Sequence, residues 1–218
     1  MKHGAVFDMD GLMFDTERLF RESWLVLARE KYHQEPNLAF TKAVAGTAGD
    51  KMREVIRQYY PDIDADAYMA DCYARVNELT EKDVPVKKGL QEILSYLKEN
   101  HFRMAVASAS SRAAVERNLK NTGLTHYFDQ ILSTQGEGIP SKPAPDVFIK
   151  AVQMLGLTPQ DCYVFEDGIN GVLAGLRAGC TTVMVPDTME PTREVLEGGA
   201  IICRDLEEAR NFIAQGRI

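Results

Sequence analysis

The sequence predicts an α/β fold: a doubly wound parallel sheet with a helical segment inserted after its first strand. Two observations predict this fold. Short apolar runs alternate with amphipathic helical patterns, and the stretch between residues 15 and 85 contains only helical patterns. Strands that alternate with helices form parallel sheets covered on both faces. With 218 residues, the chain is long enough for one large domain and a small inserted one.

Six short runs of β-branched, aromatic or other apolar residues are the strand candidates. They cover residues 5–7, 104–107, 130–132, 162–165, 181–185 and 200–203. The clearest helix between them is KKGLQEILSYLKEN, in which apolar residues at i, i+3, i+4 and i+7 from Leu90 share one face. Weaker helical patterns cover residues 114–121, 145–155, 169–178 and 206–214.

The inserted stretch contains helical patterns around residues 18–31, 50–60 and 65–80. Prolines interrupt it between and after these patterns, as helix breakers do. We therefore predict two domains. The sheet domain comprises residues 1–14 and 86–218, and the helical cap domain comprises residues 15–85.

The composition is that of a soluble globular protein, with 45% hydrophobic and 26% charged residues. The net charge of −7 argues against nucleic acid or an anionic membrane as a partner, because both bind basic patches. The N-terminus lacks the apolar stretch of a signal peptide, and no run approaches membrane-spanning length. The four cysteines form no CxxC pair, so we expect reduced thiols in a cytoplasmic protein.

Polar residues follow four of the predicted strands. In strand order they are Asp8 and Asp10, Ser108 and Ser110, Lys142, and Glu166 and Asp167. Ligands of open α/β sheets bind beyond the carboxyl ends of the strands, so we expect these side chains to share one rim. Taken singly, each has a plainer interpretation: a solvated turn for the DxD pair, a loop lysine for Lys142, and a helix cap for Ser108.

Together these side chains predict a site for a phosphate group and Mg²⁺. Asp8, Asp10 and Asp167 form an anionic cluster that needs a cation, and carboxylate oxygens suit Mg²⁺. Lys142 and the Ser108 hydroxyl, together with nearby backbone N–H groups, would bind the phosphoryl oxygens. Asp8 could attack phosphorus to form an aspartyl-phosphate, while Asp10 could protonate the leaving oxygen and then activate water.

Four motifs resemble those of the haloacid dehalogenase-like superfamily: FDMDG, ASAS, SKPAPD and FEDG, in matching order and spacing over essentially the whole chain. The resemblance implies a Rossmann-like core, a Mg²⁺ cofactor, Asp8 as the nucleophile and Asp10 as the acid/base. It also implies that Asp8, the backbone carbonyl of Asp10, and Asp167 bind the metal, with Glu166 close by.

A helical cap after the first motif resembles the β-phosphoglucomutase-like and phosphoglycolate-phosphatase-like branch, whose caps have four helices. The opening FDMDGLMFDTERLF is similar to that of small-metabolite phosphatases in this branch. The resemblance implies that Gly46 and Thr47 of the cap loop, and Ala109 and Ser110 of the second motif, contact the substrate. Gly168 departs from the pattern, since the branch often has serine there.

Phosphatase and mutase are the two alternatives within this branch. Sequences similar to β-phosphoglucomutase carry a histidine in the first cap helix and basic residues in the following loop, where this chain has Phe20, Ala45 and Gly49. We therefore predict a Mg²⁺-dependent monomeric phosphatase that hydrolyses a small phosphorylated metabolite, a sugar or nucleoside phosphate. The alternative is a β-phosphoglucomutase-type phosphosugar mutase.

Two further classes fit the sequence less well. A phospho-receiver domain resembles a shorter chain with its phosphorylated aspartate after the third strand, where this chain reads LSTQGEG. A dehalogenase needs neither a metal nor Asp10. We therefore expect neither activity.

Overall fold

The computed structural model describes residues 2–47 and 49–218, and the chain divides into two compact units. The sheet unit comprises Met1–Asp15 and Pro85–Ile218, and the helical unit comprises Thr16–Val84. The helical unit is therefore an insertion in the sheet unit, and it begins after the loop that follows the first strand.

The sheet unit is built on six strands that pair in parallel in the order β3-β2-β1-β4-β5-β6. The strands are β1 (Gly4–Phe7), β2 (Arg103–Ser108), β3 (Gln130–Ser133), β4 (Cys162–Glu166), β5 (Thr181–Met184) and β6 (Ile201–Ile202). This order is that of a doubly wound sheet, so the predicted α/β fold class is confirmed. The last strand is only two residues long, shorter than the run of apolar residues that predicted it.

Helices connect the strands and make up the helical unit. The sheet unit contains α5 (Leu90–Glu99), α6 (Arg112–Asn121), α7 (Asp146–Met154), α8 (Ile169–Arg177), α9 (Arg193–Glu197) and α10 (Leu206–Ala214). The helical unit contains α1 (Thr16–Glu30), α2 (Leu38–Val44), α3 (Gly49–Tyr59) and α4 (Ala65–Lys82).

Helices α2 and α9 were not among the helical patterns read from the sequence. They span only seven and five residues, too few for a hydrophobic period to repeat. Their starts are instead fixed by capping side chains. Asn37 accepts hydrogen bonds from the N–H groups of Ala39 and Phe40, and Thr192 accepts one from Val195.

The sheet is buried on both faces. On one face, Val6 and its neighbours belong to an apolar cluster that includes Val147 and Phe148 of α7. On the other face, the ring of Phe7 stacks on that of Phe165, with ring centroids 4.6 Å apart. This double burial explains why the strands read as continuous apolar runs rather than as alternating ones.

The helical unit has a core of its own, rich in aromatic residues. Trp24, Phe40 and Tyr68 lie in one buried cluster, and the rings of Trp24 and Tyr68 meet edge to face with centroids 4.7 Å apart. The Tyr68 hydroxyl is buried and donates to the Trp24 carbonyl at 2.6 Å. Its polar atom is therefore satisfied inside an otherwise apolar cluster.

All four cysteines are buried free thiols. Burial raises the pKa of Cys180 and of Cys203 to about 11. Within the part of the chain that the structure describes, no helix is both long and apolar enough to cross a membrane.

Candidate active site

The candidate site lies beyond the carboxyl ends of β1 and β4, at the centre of the sheet. The two strands are neighbours although they are far apart in sequence, so this is the topological switch point where such sheets bind ligands. Phe7 pairs with Phe165, and the Asp8 N–H donates to the Phe165 carbonyl at 3.0 Å. The pairing therefore places Asp8 beside Glu166, as the strand ends predicted.

Three carboxylates meet at this point. One oxygen each from Asp8, Glu166 and Asp167 lies within 4.8 Å of the others. Asp8 is 7% exposed and Glu166 is 3% exposed. Buried carboxylates this close repel one another, so the group needs positive charge to remain ionised.

Lys142 supplies part of that positive charge. Its ammonium donates to Asp8 Oδ1 at 2.5 Å, to Glu166 Oε1 at 2.6 Å and to the Ala107 carbonyl at 3.0 Å. Burial by itself lowers the pKa of Lys142, but the charges of Asp8 and Glu166 outweigh burial and raise that pKa above its ordinary value. Lys142 is therefore a permanent cation that fixes the orientation of the Asp8 carboxylate.

The same group of residues fits a divalent cation. Three carboxylates and one ammonium leave a surplus of two negative charges when all are ionised. The clustered donors are oxygen atoms, which Mg²⁺ prefers over nitrogen or sulfur. The Asp10 carbonyl stays a predicted fourth ligand.

Glu166 links Lys142 to the loop that follows β4. Its Oε2 accepts hydrogen bonds from the Asp167 and Gly168 N–H groups, each at 3.1 Å, while its Oε1 faces Lys142. Burial raises the pKa of Glu166 to about 7, the charge of Asp8 adds to this rise, and Lys142 opposes it. Glu166 thus fixes both the lysine and the loop that carries Asp167.

Two glycines make room for these carboxylates. Gly11 has a φ of +84°, and a Cβ there would overlap Asp167 Oδ2. A Cβ on Gly171 of α8 would overlap the Glu166 carboxylate. Neither glycine was predicted from the sequence to have a role at the site. The first stands inside the FDMDG motif, but the second has no sequence signal, since only the fold brings it to Glu166.

The second motif provides hydroxyl groups beside Asp10. Ser110 Oγ donates to Asp10 Oδ2 at 2.6 Å, and the Ser110 N–H donates to Ser108 Oγ at 3.0 Å. Ser111, not Ser108, caps α6 by accepting from the Ala114 N–H. Ser108 is therefore not needed as a cap, and its hydroxyl proton can be donated to a ligand.

The remaining predicted substrate-contact residues lie in turns and loops. Ala109 is exposed in the bend between Ser108 and Ser110. Gly46 and Thr47 belong to the helical unit, where the Thr47 hydroxyl donates to the Val44 carbonyl at 2.7 Å. Substrate contact by Ala109, Gly46 and Thr47 stays a prediction.

Residues 5–185 match the family model of the haloacid dehalogenase-like hydrolases. The chain belongs to the haloacid dehalogenase-like hydrolase family. The family resemblance read from the four motifs is thereby confirmed.

Named members of this family support the enzyme class. A Drosophila melanogaster protein named "Probable pseudouridine-5'-phosphatase" is 31% identical over 84% of this chain and 81% of its own length. The fructose-1-phosphate phosphatase of Escherichia coli is 30% identical over 84% of this chain and 95% of its own length. The predicted class, a phosphoric monoester hydrolase of the haloacid dehalogenase-like family, is confirmed by these relatives.

The fold is also shared with a β-phosphoglucomutase of known structure. The crystal structure of β-phosphoglucomutase from Clostridium difficile matches with a TM-score of 0.76 and 22% identity, covering 100% of this chain and 97% of the other. At this identity the match establishes that the two proteins share a fold, but it does not establish that they catalyse the same reaction.

Proposed function

We propose that this chain is a Mg²⁺-dependent phosphatase that hydrolyses a small phosphorylated metabolite through an aspartyl-phosphate formed on Asp8. The observation that carries the proposal is the group of three carboxylates at the switch point, two of which are buried and bound by Lys142. Such a group positions a nucleophile and stabilises phosphoryl charge, which are the main needs of phosphoryl transfer.

In the first half of the proposed reaction, an Asp8 oxygen attacks phosphorus and the bond between phosphorus and the leaving oxygen breaks. Asp10 gives its proton to that oxygen, so that the product leaves as an alcohol. In the second half, Asp10 takes a proton from water, and the water oxygen attacks phosphorus and releases Asp8. Lys142, Ser108 and backbone N–H groups hold the phosphoryl oxygens throughout.

The proposed metal ligands are Asp8, Asp167 and the Asp10 carbonyl, with Glu166 beside them. When bound, Mg²⁺ would neutralise charge on the carboxylates and on the phosphoryl group. The surplus of two negative charges described above supports a divalent ion at this place.

The proposed substrate is a sugar phosphate or a nucleoside phosphate. The relatives named for pseudouridine 5'-phosphate and for fructose 1-phosphate support this class. Both names describe phosphate monoesters of polar alcohols. We further propose that the enzyme acts as a monomer in the cytoplasm, and gel filtration tests its oligomeric state.

Hydrolysis is favoured over phosphosugar mutation by the charges of the helical unit. A mutase must hold a second phosphate group, which requires cations that are free to bind it. Here Lys51 pairs with Glu54 at 3.2 Å, and Arg53 pairs with Asp50 and Asp66 at 2.9 and 2.7 Å. The two basic residues that follow Gly49 at the start of α3 are therefore already engaged in ion pairs.

The test measures phosphate release with Mg²⁺ across sugar, nucleoside and short-chain phosphates, with Asp8→Asn as the control variant. A parallel assay supplies β-glucose 1-phosphate with its 1,6-bisphosphate. We expect Mg²⁺-dependent release that is lost in Asp8→Asn. Formation of glucose 6-phosphate faster than release of phosphate would instead establish the mutase.

A further inference from the structure

Three serines form one hydrogen-bonded group next to Asp10, which we call the serine cluster: Ser108, Ser110 and Ser133. Ser108 ends β2 and Ser133 ends β3, and the two residues are register partners in the sheet. Ser108 is 1% exposed and Ser133 is fully buried. Ser110 lies in the bend that follows β2.

The backbone of Ser110 is held at both of its polar groups. Its N–H donates to Ser108 Oγ at 3.0 Å, and its carbonyl accepts from Ser133 Oγ at 2.7 Å. Ser133 is itself fixed, because its Oγ accepts from the Gln135 N–H at 3.0 Å. The bend therefore has little freedom to turn, although it lies outside regular secondary structure.

A fixed bend gives the Ser110 hydroxyl a fixed position. That hydroxyl donates to Asp10 Oδ2 at 2.6 Å. Because its donor is held in place, this hydrogen bond fixes the orientation of the Asp10 carboxyl group. The serine cluster thus holds the Asp10 carboxyl group in one orientation.

We propose that Ser110 is a positioning residue for Asp10, and that Ser133 acts by holding Ser110 in place. This inference rests on the proposed function, in which Asp10 is the acid/base. Asp10 gives its proton to the leaving oxygen as the bond from phosphorus to that oxygen breaks, and later receives a proton from the attacking water. Ser110 keeps its own proton in both steps and holds Oδ2.

The test compares kcat/KM for two substrates of different leaving groups, fructose 1-phosphate and p-nitrophenyl phosphate. The kcat/KM value reports the steps through formation of the aspartyl-phosphate. A sugar alkoxide needs a proton to leave, whereas p-nitrophenolate leaves without one. In Ser110→Ala we expect kcat/KM to fall about tenfold or more for the sugar phosphate, and less than about threefold for the aryl phosphate.

Two further variants separate positioning from a general structural effect. Ser110→Thr keeps the hydroxyl and is expected to restore most of the sugar phosphate activity. Ser133→Ala keeps Ser110 but removes the hydroxyl that donates to the Ser110 carbonyl. This variant should show the same dependence on the leaving group as Ser110→Ala, with a smaller fall in kcat/KM. Thermal unfolding of each variant verifies that it is folded.

The outcomes distinguish this inference from the proposed function on which it rests. If wild-type enzyme hydrolyses both substrates and Ser110→Ala slows them equally, Ser110 only binds the phosphate and the positioning role is wrong. A faster Ser110→Ala enzyme would mean that Ser110 holds Asp10 away from the substrate, which also overturns the role. If the wild-type enzyme hydrolyses neither substrate, the proposed function fails and the inference falls with it.

Discussion

Lys142 lies between two carboxylates that are almost completely removed from solvent, with side-chain exposures of 10% for Asp8 and 4% for Glu166. Its ammonium also lies 4.8 Å from the centre of the Phe148 ring. A buried ion pair is expensive to break, because the remaining charge has lost its partner. Lys142 is therefore a structural residue in addition to its proposed role in catalysis.

Replacing Lys142 by methionine tests this double role. We expect K142M to be less stable than wild type by about 3–5 kcal/mol, because two buried carboxylates are left facing each other. Urea unfolding in the presence of a metal chelator measures the difference. The exposed Lys150 on α7 is the matched control, and K150M should change stability by less than about 0.5 kcal/mol. Equal stability of K142M and wild type would contradict the account.

The space that Gly171 leaves for Glu166 gives a second prediction at the scale of residues. Alanine at this position would gain about 1 kcal/mol of helix propensity, but its Cβ would overlap the buried Glu166 carboxylate. We expect Gly171→Ala to lower stability by about 1–3 kcal/mol and to reduce phosphatase activity. Thermal unfolding and phosphate release measure the two effects.

Gly168→Ser is the control for this substitution. A Cβ on Gly168 would lie 3.8 Å from Glu166 Oε2, an ordinary contact, and serine can cap α8. We expect this variant to change the free energy of unfolding by only a few tenths of a kcal/mol. A stable Gly171→Ala variant would mean that Glu166 moves without consequence.

At the scale of elements, parallel strands explain why the site could be predicted from sequence. Each strand has one end at the same rim, so the residues after β1 and β4 had to meet once the sheet was predicted. Asp8, Glu166 and Asp167 follow from that rule, and Lys142 lies in the loop that follows β3. The link from Ser110 to Asp10 does not, because it depends on the conformation of a bend that no strand or helix pattern specifies.

The short helices and the glycines mark other limits of the sequence. Helices α2 and α9 are too short to repeat a hydrophobic period, so their capping residues were the available signal. Gly171 is important only because the fold brings it against Glu166. The two short helices and Gly171 thus depend on particular contacts, which the spacing of apolar residues along the chain does not encode.

The start of α10 gives a prediction about pH. Asp205 caps this helix by accepting from the Glu208 N–H at 2.8 Å, and it also pairs with Lys88 at 2.8 Å. The hydrogen bond from Lys88 lowers the pKa of Asp205, so the ionised form stabilises the folded state. That stabilisation is present above the unfolded carboxyl pKa of about 3.9 and is lost as the pH falls.

Asp205→Asn keeps a capping oxygen but removes the charge. We expect this variant to be less stable than wild type at pH 7, and the difference to shrink as the pH is lowered toward 3. Urea unfolding at several pH values measures the change. A difference that stays constant or grows on acidification would show that the charge of Asp205 has no part in stability.

At the scale of the whole molecule, the two compact units have separate cores. The aromatic cluster around Tyr68 belongs to the helical unit, and the cluster around Val6 belongs to the sheet unit. The single tryptophan, Trp24, lies in the first of these clusters. Its fluorescence therefore reports on the helical unit, whereas far-ultraviolet circular dichroism reports on both units.

Tyr68→Ala exploits this separation. Removing the fully buried ring should destabilise the helical unit by about 3–5 kcal/mol. In urea, we expect the fluorescence transition of the variant to move to lower concentration, while circular dichroism retains a later transition from the sheet unit. Coincident transitions by the two probes would contradict this and indicate that the units unfold as one.

The most direct test of the central claim is mass spectrometry of acid-quenched enzyme after reaction with p-nitrophenyl phosphate and Mg²⁺. The Asp10→Asn variant is used because it lacks the proposed base that activates water, so the aspartyl-phosphate should accumulate. We predict one phosphoryl group on the peptide that contains Asp8, and none in an Asp8→Asn control. An unmodified Asp8 peptide during turnover, together with an active Asp8→Asn enzyme, would contradict the account.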